Sequence, residues 1–197
     1  MLIFLYLMKI SELLIKYLQK RGENHQREIG RYWASDIYKI LGGWLTPDNF
    51  FQESQYDKKS VGMIFTGMAT EAMLERVFRE MNVNFEPQVK KELKIGDEIT
   101  LVVVADFVFP NFLIETKHLF KDDGGIPKKY LYQLEAQYQA FQKPVYLGKL
   151  KTPFDLELFK YTPSKGRWET IQKVLIDFHQ KLKTKHYESS KESIHTR

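Results

Sequence analysis

The chain has 197 residues, 43% of them hydrophobic and 14% aromatic, which is enough apolar material for a sizeable core and excludes wholesale disorder. Cysteine is absent, so disulfides, thiolate zinc sites, iron–sulfur clusters and a cysteine nucleophile are excluded, and any metal must sit on oxygen or imidazole ligands. Lys and Arg number 30 against 25 Asp and Glu; the net charge of +5 admits a polyanionic partner without demonstrating one.

Met1 to Met8 is an apolar run ended by Lys9. It is shorter than the ~20 helical residues that cross a bilayer. It also lacks the basic leader and small-residue cleavage site of a secretory signal, so a cytoplasmic protein with no membrane association is expected. Residues 9–20 carry Ile10, Leu13, Leu14, Tyr17 and Leu18 at helical spacing, with Ser11 as N-cap. A polar break follows from Gly22 to Gly30. Trp33–Leu41 predicts a short helix, and Asp48–Ser60 a polar loop. Phe65–Met81 predicts a helix whose buried ladder is Phe65, Ala69, Met73, Val77 and Met81, broadened by Ala72, Leu74 and Phe78. Glu71 falls on the stripe of Gly67, Leu74 and Phe78, at the margin of that face, where a carboxylate is less comfortable than in water.

From Glu86 the period drops to two. Val89–Ile95 reads as a half-exposed strand, Gly96-Asp97 as its turn, and Ile99–Phe109 as a strand buried on both faces. Pro110-Asn111 turns the chain and Phe112–Leu119 returns. Pro127–Phe141 predicts a helix, Val145–Leu150 and Leu156–Tyr161 short strands, and Trp168–Leu182 a closing helix before a frayed polar end, Lys183–Arg197. This order predicts an α+β fold: a mixed sheet with an antiparallel meander, flanked by helices on both faces. A single domain is expected, with a helical N-terminal region over 1–60, a core over 61–163 and a C-terminal helix and tail over 164–197.

Three ionisable residues, Asp106, Glu115 and Lys117, are embedded in two strands that are otherwise almost wholly apolar. With the turn centred on Pro110-Asn111, Asp106 faces Glu115, and Lys117 projects from the same sheet face. Two carboxylates about 5 Å apart at an effective dielectric near 20 repel by on the order of 3 kcal/mol. A divalent cation removes that repulsion, and oxygen-only ligation suits Mg2+ or Mn2+. An odd-length loop would move Asp106 to the other face, so the register stays open here; Glu115 and Lys117 share a face either way. The strings Asp57-x-Lys59 and Glu92-x-Lys94 have the same form, but in polar surroundings where solvated charges need no explanation. His118 points away from Lys117 by strand alternation, and His25, His179, His186 and His195 form no metal-spaced cluster.

Asp106, a spacer, then Glu115-Thr-Lys117 on adjacent strands resembles the PD-(D/E)XK nuclease superfamily. Gly67-Met-Ala-Thr-Glu71 resembles the opening motif of its RecB-type and lambda-exonuclease-like branches. Gln133-Leu-Glu-Ala-Gln137 resembles their final motif, in which a tyrosine usually follows the glutamine by four residues; here Gln137 holds that place and Tyr138 comes next. Ala34-Ser35-Asp36-Ile37 is loosely similar to the serine-containing helix that opens many RecB-type chains. The resemblance covers roughly residues 31–150; Ala105 stands in place of the proline of the family name, and the cluster-bearing iron–sulfur members are excluded by the missing cysteines.

The resemblance implies a restriction-endonuclease-like core and a magnesium-dependent deoxyribonuclease, exonucleolytic or specific for single strands or branched structures, in replication, recombination or repair. Compact members of this kind occur in viral genomes and mobile elements. The metal would be held by Asp106, Glu115, the carbonyl of Thr116 and Glu71, directly or through water. Lys117 would hold or help deprotonate the attacking water, and Gln133 would orient Lys117 or the scissile phosphate. Lys128, Lys129 and Gln137 are candidate nucleic-acid contacts, and Trp33, Trp44 and Tyr56 candidate stacking residues. Ring-forming and dimeric relatives make a homo-oligomer compatible with the resemblance, not required by it. The alternative is a DNA-binding protein of the same fold that does not cut, or cuts only with a partner.

Overall fold

The computed structural model describes residues 12, 15–17, 27–52, 58–118, 124–151 and 155–195. The apolar run Met1–Met8, most of the helix predicted over 9–20, Tyr56 and Asp57 lie outside the described residues. The strands are β1 (Arg31–Trp33), β2 (Glu86–Ile95), β3 (Ile99–Val108), β4 (Leu113–His118), β5 (Val145–Lys151) and β6 (Asp155–Lys160), all in one mixed sheet. The helices are α1 (Ile37–Leu41), α2 (Lys58–Glu80), α3 (Lys128–Phe141) and α4 (Lys165–His195), and a 3-10 turn at Ala34–Asp36 leads from β1 into α1. The fold is α+β with the expected meander. No described helix is long and apolar enough to cross a membrane.

The pairing of β3 decides where the site can form. β2 runs antiparallel along one of its edges from Glu86↔Val108 to Ile95↔Ile99. The other edge is divided: β1 pairs with it in parallel at Thr100, Leu101 and Val102, and β4 pairs antiparallel through Phe107↔Ile114 and Val108↔Leu113. β4 then leaves β3 and pairs in parallel with β5 from Leu113↔Val145 to His118↔Leu150. Between the two ladders, the edge of β3 from Val103 to Asp106 forms a notch in the sheet.

Leu101, Val103 and Ala105 of β3 are buried with Leu134 of α3 and Ile171 and Leu175 of α4. Burying a side chain of this size contributes roughly 2 kcal/mol. A second cluster joins Leu74, Phe107, Phe109 and Ile114, with Phe78, Phe85 and Phe112 against them. Glu135, fully buried, ties α3 to the start of α4: it accepts hydrogen bonds from the Tyr161 hydroxyl at 2.5 Å and the Ser164 amide at 2.8 Å.

Four expectations need correction. α2 begins at Lys58, absorbing the end of the predicted loop. Its predicted ladder faces outward: Met73, Val77 and Met81 are 37%, 46% and 72% exposed, whereas Val61, Thr70 and Leu74 are buried. The helix carries two apolar stripes, and the sheet takes the one whose Phe78 packs edge-on against Phe107 and Phe109 at ring separations of 5.3 and 5.5 Å. Glu71 therefore belongs to the sheet-facing stripe. β1 replaces the first residue of the helix predicted over 33–41; three residues are too few for alternation to show. The strand is pinned by Tyr32, which is 1% exposed, with its hydroxyl 2.9 Å from His179 Nδ1. Finally, the polar tail predicted to fray continues α4 to His195. Charged surface residues with good helix propensity need no buried face to extend an established helix.

Candidate active site

The notch gathers the chemistry. Glu115 projects from β4 with 2% of its surface exposed. Its Oε1 accepts hydrogen bonds from Lys117 Nζ and, at 2.6 Å, from Gln133 Nε2. Its Oε2 accepts one from Gln137 Nε2 at 2.5 Å. Gln133 and Gln137 lie one helical turn apart on α3, so one face of that helix presents both amides to one carboxylate.

Asp106, 7% exposed, holds the other side of the notch. The ladder register places residues whose numbers sum to 221 opposite each other, as the turn at Pro110-Asn111 predicts, but the strands part before reaching Asp106 and Glu115. Asp106 uses the gap: its Oδ2 accepts the Thr116 amide at 2.7 Å and the Thr116 hydroxyl at 2.9 Å. The side chain thus supplies the acceptor that a continued ladder would have given β4. Gln137 Nε2 similarly donates to the Val104 carbonyl at 2.8 Å.

The electrostatics follow from burial and like charge. Burial first, then the Asp106 charge, push the Glu115 carboxyl up to about 7 against the opposing pull of Lys117. Burial disfavours the Lys117 ammonium, but Glu115 and Asp106 outweigh it and hold the amine above its ordinary range. Lys117 is a cation tethered beside two acids.

Asp106, Glu115, Thr116, Lys117, Gln133 and Glu71 all line one cleft of about 940 Å³. Glu71 reaches the acid pair through Gln88, whose Nε2 donates to Glu71 Oε2 at 3.1 Å and to Asp106 Oδ1 at 3.2 Å. Lys128 and Lys129 are exposed on the first turn of α3, outside the cleft lining. Gln137 is corrected as a nucleic-acid contact: it is fully buried, its amide nitrogen is spent on Glu115 and Val104, and its Oε1 is buried without a hydrogen-bond partner. His118 lines the cleft, His179 is committed to Tyr32 and Glu98, and Glu92 pairs with Arg31 at 2.6 Å on the cleft rim.

Solved structures of similar shape include that of SSO0001, at 20% identity with a TM-score of 0.64, covering 87% of this chain and 86% of that one. The alkaline exonuclease LHK-Exo from Laribacter hongkongensis, in complex with dAMP, matches at 11% identity and a TM-score of 0.65, covering 86% and 96%. A phage-related exonuclease from Haemophilus somnus 129PT matches at 10% identity and a TM-score of 0.52, covering 81% and 96%. The chain shares its fold with these exonuclease structures. No protein-family model and no curated sequence matches this chain.

In that fold the donor set can be judged on its chemistry. Among the described residues no group of three or more His, Asp or Glu side chains is arranged to hold a metal ion. A buried carboxylate whose ionisation is opposed by a second carboxylate, beside a water-accessible cleft, fits a hard divalent ion that keeps most of its own waters, as Mg2+ does. They do not fit a closed, all-protein cage.

Trp33, a candidate stacking residue, lines the cleft, and so do Gln88, Arg31 and Lys90, which sequence reasoning missed. Gln88 was hidden by one residue of turn length. A two-residue turn at Gly96-Asp97 puts Pro87 opposite Asp106; the observed turn includes Glu98, pairs Ile95 with Ile99, and brings Gln88 level with Asp106. Arg31 was hidden with β1, the strand that also brings Trp33 to the cleft.

Proposed function

We propose that the chain is a divalent-metal-dependent deoxyribonuclease that hydrolyses phosphodiester bonds in the cleft between α2 and the sheet notch. The observation that carries this reading is the buried Glu115, bound by Lys117, Gln133 and Gln137 and sharing its cleft with Asp106. A purely structural ion pair gains little from a second buried carboxylate alongside it.

Asp106 Oδ1, Glu115 and the Thr116 carbonyl would hold Mg2+ or Mn2+, with Glu71 acting through water or through Gln88. Such an ion, when bound, lowers the pKa of a coordinated water and neutralises charge on the attacked phosphate. Thr116 fixes the Asp106 carboxylate through two hydrogen bonds, so that one oxygen stays turned toward the cleft. Lys117 is positioned to hold the attacking water and to offset the negative charge that develops on the phosphate. Gln133 restrains Glu115 from the cleft side, and Gln137 does so from the buried side. Exonucleolytic action in replication, recombination or repair fits the exonuclease neighbours by fold, and single-stranded or branched DNA is the substrate of this reading.

Binding without cutting is the second reading, favoured by one observation: Glu115 already accepts three hydrogen bonds from the protein. The deciding experiment incubates labelled single- and double-stranded DNA with the purified chain and magnesium, manganese or a chelator. Metal-dependent cutting that is lost in Asp106→Ala and Lys117→Ala, with DNA binding retained, is the expected result. Steeply salt-dependent binding with no cutting under any metal supports the second reading. Cutting that persists in chelator and in both variants overturns the mechanism.

A further inference from the structure

On the nuclease reading of the cleft, we propose that Trp33 and Lys90 form a stacking and phosphate-binding station that takes the nucleic acid as an unpaired strand lying along β3. Trp33 is the last residue of β1 and is level with Val102; Lys90 on β2 is level with Val104; Gln88 and Asp106 come next. Alternation puts these side chains on one sheet face, and Trp33, Lys90, Val104 and Asp106 all line the same cleft. At ~3.3 Å per residue the four steps from Val102 to Asp106 span about 13 Å, so a single strand can touch the indole and the acid pair together.

The chemistry of this stretch differs from a duplex-binding surface. A duplex presents phosphates outward and keeps its bases stacked inside, so it is met by cations. Here the half-buried indole shares the cleft lining with Met63, Ile64 and Met68 of α2, which offer nothing to a phosphate and do offer apolar surface to an exposed base. Lys90 Nζ lies over the Trp33 ring, 5.6 Å from its centre and 3.7 Å from Glu92 Oε1, and the residue stands between Trp33 and the acids along the strand direction. Arg31, further out, is held by Glu92 at 2.6 Å. A cleft of about 940 Å³ has the size of a small-ligand pocket and room for a few nucleotides of one strand.

Trp44→Phe combined with Trp168→Phe leaves Trp33 as the single tryptophan. In chelator, so that nothing is cut, oligothymidylate should quench its fluorescence, and a blunt hairpin duplex should not. By anisotropy, Trp33→Leu should weaken oligothymidylate binding on the order of tenfold, with Trp33→Phe recovering most of it, because stacking needs a ring and not an indole nitrogen. Lys90→Ala, at an exposed site, should reduce the salt slope of single-strand binding by about 0.7, the value of one phosphate contact. The proposal is overturned if Trp33→Leu, melting as wild type does, binds the oligomer unchanged, or if duplex and single strand weaken equally. A chain that cuts DNA with magnesium but shows either result loses this station and keeps the nuclease reading; a chain that never cuts loses the reading itself.

Discussion

Gln88 Nε2 lies 3.2 Å from Asp106 Oδ1, and the residue that delivers it, third in β2, has φ +51°. A non-glycine side chain in the left-handed region costs roughly 1–2 kcal/mol. The strain sits where the amide joins Glu71 to Asp106, which is where preorganisation would be useful. Gln88→Gly should therefore raise the melting temperature by a few degrees while lowering kcat on the order of tenfold. Gln88→Asn, tolerant of the same backbone, should not recover kcat because its amide is too short to span both acids. A glycine variant that melts lower with kcat intact would show that Gln88 merely braces the sheet.

The two α3 glutamines separate by burial. Gln137 is fully buried and bonded to both Glu115 and the Val104 carbonyl, whereas Gln133 lines the cleft. Gln137→Leu leaves two buried acceptors short of a donor and should cost about 1–3 kcal/mol of stability, read by denaturant melts. Gln133→Ala should leave the melt nearly unchanged and reduce the cleavage rate. Equal stability losses in the two variants would refute the division.

Much of this was legible in the sequence, for identifiable reasons. Asp106, Glu115 and Lys117 stand out because a charge inside an apolar strand has no cheap structural explanation; of the registers left open, the observed one is that of a turn centred on Pro110-Asn111. The buried side of α2 was misread because Phe65, Ala69, Met73, Val77 and Met81 form as regular a stripe as the one the sheet takes; only tertiary packing around Phe78 chooses between them. Gln88 and the placement of Trp33 beside the acids were invisible because they depend on a turn one residue longer and on a three-residue parallel strand, neither of which leaves a periodic trace.

Gly67 tests the cleft wall. It lies inside α2 and lines the cleft, and a Cβ built on it meets nothing within 4 Å. Gly67→Ala should stabilise the chain by up to about 1 kcal/mol, since glycine is a poor interior helix residue. If a nucleic-acid backbone passes along that wall, the added methyl should also raise KM severalfold with kcat little changed. A more stable variant with unaltered KM would place the substrate elsewhere in the cleft.

Glu115 gives the protein a pH signature. Its carboxyl is raised from an ordinary 4.5 to about 7 by burial and by Asp106, so the native state holds this proton more tightly than the unfolded chain. The corresponding stability is present below about pH 4.5 and is lost as pH rises through about 7, a loss on the order of 3 kcal/mol. In chelator the melting temperature should fall between about pH 5 and pH 7.5, and Glu115→Gln should flatten that part of the profile. Magnesium requires the ionised carboxylate, so its stabilising effect should be smallest near pH 5 and grow across the same window. A metal-free profile that Glu115→Gln leaves unchanged would mean that Lys117 keeps the carboxylate ionised throughout, and the cation would then have no buried repulsion to relieve.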